Sequence, residues 1–130
     1  MRAKVILAVG AIAAMTGAVA SAHHSGAMFD SNKTVELKGT VKEVQLTNPH
    51  SWIQVLVPDA AGKDVEWSLE AAAPTVLIRG GIKKNTLKPG DAITFRGHPM
   101  KDGRPGVEMT TLTTADGSVL PKRAAGPGYE

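Results

Sequence analysis

The amino-acid sequence predicts an all-β protein: a small OB-like five-stranded barrel with one short helix between strands 3 and 4. Two observations predict this fold class. Several short segments alternate apolar and polar residues with a period of two, which is typical of strands that bury one face. These segments come in the order three strands, one short helix and two strands, which is the order of elements in the OB fold, a partly open Greek-key barrel.

The first predicted strand begins at residue 35 and contains an irregularity. Apolar and polar residues alternate over residues 35–42, but Val44 is out of phase with Val41. A bulge near residues 42–43, or a bend around Gly39, would return both segments to the same face. We therefore expect a long, irregular first strand.

The second and third predicted strands, at residues 51–57 and 64–69, form a hairpin around "PDAAGKD", whose proline, aspartate and glycine favour a turn. If Val57 pairs with Val65, the inner face is apolar and the outer face carries Trp52, Gln54, Glu66, Ser68 and Glu70. In this register Glu70 lies opposite Trp52 and near His50.

Turn signals predict the rest of the barrel. In "AAAPTVLIRGGI", Pro74 suits the first turn of a short helix, and Gly80 or Gly81 suits its end. The fourth predicted strand covers residues 92–97. The Asp-Gly pair in "MKDGRPG" then predicts a turn before a fifth strand at residues 107–113.

The N-terminal segment reads as a secretory signal peptide. Arg2 and Lys4 precede an apolar run, and the small residues before Ala22 suit a signal peptidase, with Ala20 as an alternative cleavage site. Because the apolar run is short and interrupted by glycine, we expect a periplasmic or secreted protein without a stable membrane anchor. The expected organisation is a signal peptide (1–22), an N-terminal arm (23–34), the OB-like barrel (35–120) and a flexible tail (121–130).

Composition argues against several functions. The sequence has 15 Lys and Arg against 12 Asp and Glu, a net charge of +3. Because Arg2 and Lys4 belong to the leader, the mature chain carries 13 basic residues against 12 acidic ones, or +1. With two Trp, one Tyr and two Phe, it offers neither the electrostatic groove nor the stacking platform of a nucleic-acid-binding protein. The absence of cysteine excludes thiol catalysis, and no G-x-S-x-G elbow is present, so we do not expect an enzyme.

The candidate metal ligands are the four histidines of the mature chain: His23, His24, His50 and His98. His50 and His98 follow the first and fourth predicted strands, and these connections meet at one rim of an OB barrel. Cleavage after Ala22 frees an amine on His23 itself, and cleavage after Ala20 makes His23 the third residue from a free amine. Either terminus suits copper(II), which favours nitrogen donors in a square arrangement, so copper or another late transition metal is the expected cofactor.

Four further residues are expected on the ligand face or in support of the ligands: Trp52, Glu70, Gln54 and Met100. A carboxylate can hold an imidazole N–H, and a thioether suits copper(I). Simpler roles stay open. The terminal histidines can be ordinary polar residues, His50 can cap a turn, and Trp52 can cover the end of the barrel. Met28 with Phe29 can pin the N-terminal arm to the barrel.

Five motifs resemble those of a family of small exported bacterial proteins, domain of unknown function 6152: "AHHSGAMFD", "VELKGTVKEVQLTNPHSWIQV", "VEWSLE", "LKPGD" and "GHPMKDG". The resemblance runs from residue 23 to the end of the predicted barrel, and the HHS and NPH motifs are its most specific part. It implies export and one compact domain, and it implies no activity.

Two functions are expected from these observations. The first is an exported ligand-binding protein that holds copper or another late transition metal through its mature N-terminal histidines. The alternative is a cell-envelope adaptor that binds a peptide, glycan or partner protein on the barrel face, with contacts from His50, Trp52, Gln54 and Glu70. No pattern in the sequence predicts the oligomeric state.

Overall fold

The structure is a computed structural model, and it describes residues 25–122. The predicted signal peptide, His23, His24 and residues 123–130 lie outside the described residues. The described elements are, in chain order, a 3-10 helix (Ser25–Met28), β1 (Val35–Gln45), β2 (Ser51–Pro58), β3 (Asp64–Ala71), α1 (Pro74–Arg79), β4 (Ala92–Pro99), β5 (Gly106–Thr114) and β6 (Val119–Leu120). None of the described helices is long and apolar enough to cross a membrane.

Five strands form a closed barrel. β1 pairs antiparallel with both β2 and β4, β2 pairs with β3, and β4 pairs with β5. A parallel pairing between β3 and β5 closes the ring, and α1 lies between β3 and β4 in the chain. The predicted OB-like five-stranded barrel is thereby confirmed. The short β6, which pairs with β5, is absent from the sequence prediction because two residues cannot show a periodic pattern.

β1 contains a bulge, and its two halves pair with different neighbouring strands. Its first half pairs with β4 and its second half with β2. The register with β2 shifts between Val41 and Glu43, so Lys42 is the extra residue of the bulge. Gly39 lies at a close approach to β2, since a Cβ there would be 2.5 Å from the Leu56 carbonyl oxygen. The change of phase in the sequence pattern is therefore explained by a bulge, at the position predicted near residues 42–43.

The barrel interior is the hydrophobic core. Burial alternates residue by residue along β2, as the two-residue period of a strand requires. Each strand sends apolar side chains inward, and those without exposed surface include Ile53, Val55, Leu69, Phe95, Val107 and Leu112. α1 starts at Pro74 and is capped by Gly80, as the sequence predicts, and its Leu77 joins the same core. Burial of a side chain of this size contributes about 1.5–3 kcal/mol, so the inner faces hold the barrel together.

The N-terminal arm is attached to the end of β4. Phe29 forms an isolated antiparallel bridge with Met100, and its side chain is buried. The Asp30 N–H donates to the Pro99 carbonyl over 2.9 Å. Phe29 therefore pins the arm to the barrel, beside the loop that connects β4 to β5.

Candidate functional site

Four strands place one side chain each in a single row on the outside of the barrel. Trp52 on β2 pairs with Glu70 on β3, Glu70 pairs with Glu108 on β5, and Glu108 pairs with His98 on β4. Side chains of paired residues point to the same face of a sheet. Because Leu69 is fully buried in the core, its neighbour Glu70 and the whole row face outward. We call Trp52, Glu70, Glu108 and His98 the outer row.

His50 contacts this row through Glu70. Its Nδ1 lies 2.7 Å from Glu70 Oε1. The carboxylate oxygen accepts, so Nδ1 carries the hydrogen, and in the neutral ring Nε2 keeps its lone pair. The His50 side chain is 41% exposed, whereas that of Glu70 is 5% exposed. An exposed imidazole held from behind by a buried carboxylate is the arrangement that orients histidine ligands in metal sites.

Glu70 has one carboxylate oxygen without a partner. The residue is only 4% exposed, and its Oε2 is buried with no hydrogen bond among the described residues. Buried carboxylate oxygens are normally hydrogen-bonded or bound to a cation, because an uncompensated buried charge is costly. The site therefore has the capacity to hold one more donor or a cation at this oxygen.

His98 is oriented in a similar way by the N-terminal arm. Its Nδ1 lies 2.7 Å from the Lys33 carbonyl oxygen. A carbonyl can only accept, so Nδ1 donates and Nε2 of the neutral ring is again left with a lone pair. Both described histidines thus present Nε2, the nitrogen that a metal ion would take.

Polar residues and a methionine extend the outer face beside the row. Gln54 pairs with Ser68, whose hydroxyl donates to Gln54 Oε1 over 2.7 Å. Ser68 also pairs with Gly106 of β5. The Met100 sulfur occupies the space above this glycine, 2.9 Å from where a Cβ would stand. Gly106 therefore allows Met100 to lie on the same face as Glu70 and Glu108.

The structure brings some of the predicted residues together and keeps others apart. His50 contacts Glu70 directly, and Trp52, Gln54 and Met100 share the outer face with them. His98 lies two strands from Glu70, or about 10 Å at the usual strand spacing of about 4.8 Å. Within residues 25–122, no group of three or more His, Asp or Glu residues is arranged to hold a metal ion.

Glu108 is the residue that the sequence patterns did not single out. It stands between Glu70 and His98 in the outer row. The hairpin predicted at Asp102-Gly103 joins strands 4 and 5, so counting back from that turn would have placed Glu108 near His98. The parallel contact with Glu70 has no comparable local signal, because it arises only when the barrel closes.

Comparison with known families identifies the chain's relatives. A model of the family of unknown function DUF6152 matches residues 11–108. The chain belongs to this family. The match confirms the predicted family, and the matched segment includes His50, all of the outer row and the two terminal histidines. No curated protein and no solved structure matched the chain.

Proposed function

We propose that this DUF6152 protein is an exported module that binds a late transition metal, with copper the first candidate. The observation that carries the proposal is the pair formed by His50 and Glu70. The exposed imidazole is fixed by a buried carboxylate, which leaves its Nε2 free to coordinate an ion. Glu70 Oε2, which has no hydrogen-bond partner in the described part of the chain, would add negative potential behind the ring.

The remaining donors would come from the mature N-terminus. His24 is covalently next to Ser25, the first residue of the 3-10 helix that leads to Phe29. Because such a four-residue helix is only about 8 Å long, it would tether the terminus near the strand ends that hold Phe29. Met100, which pairs with Phe29, lies on the outer face with Glu70. The tether therefore supports a site shared between the scaffold and the processed terminus.

The donor chemistry favours copper over other divalent ions. An amine, two terminal imidazoles and the His50 imidazole form a nitrogen-rich set, and copper(II) has the highest affinity for such sites in the divalent series. The chain has no cysteine to divert the ion. Its role would be sequestration, delivery or sensing of the metal outside the cytoplasm.

Copper titration of the exported and processed protein tests this proposal. The intact mass defines the mature terminus, and calorimetry compares the wild type with His50→Ala and with Asn85→Ala, an exposed loop variant that serves as the control. We expect one copper per chain, with His50→Ala about tenfold or more weaker and the control unchanged. A mature chain that starts beyond His24, no binding at sub-micromolar copper, or equal affinities in all three proteins would overturn the proposal.

A second candidate function is an adaptor that recognises a cationic group of a partner. The supporting observation is the outer row, in which Trp52 is paired with Glu70, and Glu108 lies one strand beyond Glu70. An aromatic face next to acids suits an ammonium or guanidinium group. Peptides with a central Arg and matched peptides with Gln, titrated in the presence of a chelator, test this role. Arg-specific binding that is lost in Trp52→Ala would support the adaptor, and equal binding of both peptides would exclude it.

A further inference from the structure

A concave site lies at the opposite end of the barrel from the outer row. A cavity of about 480 Å³ is bordered by the end of α1, the start of β4, the turn between β5 and β6, and the residues after β6. β4 runs from this cavity at Ala92 to the outer row at His98. At about 3.3 Å per residue, the two sites are about 20 Å apart. The cavity is thus independent of His50 and Glu70.

Part of the cavity lining is apolar. Leu87, Ile93 and Leu120 contribute to its surface, and all three belong to the hydrophobic core. Its volume lies in the range of about 300–1,000 Å³ that is usual for small-molecule sites. An apolar part of a ligand would therefore be covered by side chains that the fold already holds in place.

Two cations and two anions line the same cavity. Arg79 is the last residue of α1. Lys122 is held next to it in space, because the backbone N–H of Lys122 donates to the Gly80 carbonyl over 2.6 Å. Asp91 precedes β4, and Asp116 lies in the turn between β5 and β6. Within residues 25–122, none of these four side chains forms a salt bridge with another. Charges of both signs are therefore available to a ligand.

The two carboxylates are held in place through one oxygen each. Asp91 Oδ2 accepts from the Lys88 N–H over 2.9 Å. Asp116 Oδ1 accepts from the Thr114 hydroxyl over 2.5 Å and from the Ser118 N–H over 2.9 Å. These hydrogen bonds lower the pKa of Asp116 to about 2, so it stays charged near neutral pH. The second oxygen of each carboxylate takes part in no hydrogen bond within the described residues.

We propose that this cavity binds a small zwitterionic organic molecule, of the size of a free amino acid to a short peptide, that carries an apolar side chain. Arg79 and Lys122 would receive its carboxylate, and Asp91 and Asp116 would receive its ammonium group. A simple anion would meet two aspartates, and a simple cation would meet Arg79 and Lys122. A ligand with both charges is the one that matches the whole lining.

Titration of the processed protein with the dipeptide Leu-Leu, followed by amide chemical shifts, tests the proposal. N-acetyl-Leu-Leu and Leu-Leu-amide, which each lack one charge, are the matched ligands. We expect Leu-Leu to shift resonances of residues 79–81, 86–93 and 114–118, and each capped dipeptide to bind about tenfold or more weakly. No shifts at about 10 mM dipeptide, or equal binding of all three ligands, would overturn the proposal.

Protein variants test which cavity side chains bind the charged groups of the ligand. Arg79→Gln and Asp116→Asn should each weaken Leu-Leu binding about tenfold, whereas Arg104→Gln, in the exposed loop between β4 and β5, should leave it unchanged. Unaltered binding in both cavity variants would contradict the assignment. If Asp116→Asn disturbs the turn between β5 and β6, the capped dipeptides still test on the wild-type protein whether binding needs both charges of the ligand. Copper affinity should be the same in every variant, which separates this site from the proposed metal site.

Discussion

The inner and outer faces of β2 and β3 are built from the same two strands, yet they bury side chains of different chemistry. On the inner face, Ile53, Val55 and Leu69 are apolar and fully buried, and packing alone explains them. On the outer face, Glu70 is almost equally buried, but its side chain is an acid, one oxygen of which has no hydrogen-bond partner within residues 25–122. Stability does not call for a buried acid at this position. This difference is the reason why the proposed site is placed on the outer face.

The largest effect is expected on the inner face. Leu69→Ala removes a fully buried side chain and leaves a cavity beside its paired neighbour Ile53, so the free energy of unfolding should fall by about 2–5 kcal/mol. Urea denaturation measures this loss. Copper stoichiometry of the folded fraction should not change, because the side chain faces away from His50. A loss below about 1 kcal/mol would show that the core tolerates truncation there and would weaken the contrast between the faces.

Overfilling the inner face should have the next largest effect. In Gly39→Ala, the added Cβ would lie 2.5 Å from the Leu56 carbonyl oxygen and 2.6 Å from Val55 Cγ1. β1 would have to move away from β2, which should lower the free energy of unfolding by about 1–3 kcal/mol. Thr40→Ala at the exposed neighbouring position is the control. Thermal unfolding of both variants provides the measurement, and equal melting temperatures would contradict the close approach.

On the outer face, stability and binding should separate. Glu70→Gln removes the buried charge but retains an oxygen that can accept from His50 Nδ1, so the free energy of unfolding should change by no more than about 1 kcal/mol. Copper affinity should nevertheless fall, since the imidazole loses the negative charge behind it. Asp64→Asn, at an exposed position on the same strand without a salt bridge among the described residues, is the matched control. A large loss of stability with unchanged copper affinity would assign Glu70 to folding instead.

The smallest effect concerns acid stability at the cavity end. The pKa of Asp116 is about 2 in the folded protein and near 3.8 in an exposed chain, so the unfolded state binds the proton first as the pH falls. The stability contributed by this carboxylate is present above about pH 4 and is lost as the pH approaches 2. The difference in melting temperature between the wild type and Asp116→Asn should therefore shrink from pH 5 to pH 2. A constant difference over this range would contradict the pKa, and Asp64→Asn is the exposed control.

The fold was largely predictable because each strand carries its own pattern. The register of β2 with β3 follows from alternation together with the Val57–Val65 pairing assumed across the hairpin loop, and it correctly placed Trp52 opposite Glu70. The change of phase in the apolar–polar alternation after Val41 indicated a bulge, although the pattern alone did not distinguish a bulge from a bend at Gly39.

The candidate site was less predictable because its contacts depend on closure of the barrel. Glu108 meets Glu70 only through the parallel pairing of β3 with β5, which joins residues far apart in the chain. The partner of His98 is a backbone carbonyl of Lys33, and any residue type could supply it. The roles predicted for His23 and His24 stay predictions, since both lie outside the described residues.

Electron paramagnetic resonance of copper(II) bound to the processed protein shows directly whether His50 coordinates the ion. Isotopic labelling of histidine ring nitrogens in the wild type and in His50→Ala counts the imidazoles on the ion. We expect the variant to lose one coupled imidazole nitrogen and to bind copper more weakly. Identical nitrogen couplings in the two proteins would show that His50 does not coordinate the metal, and the proposed site on the outer face would be wrong.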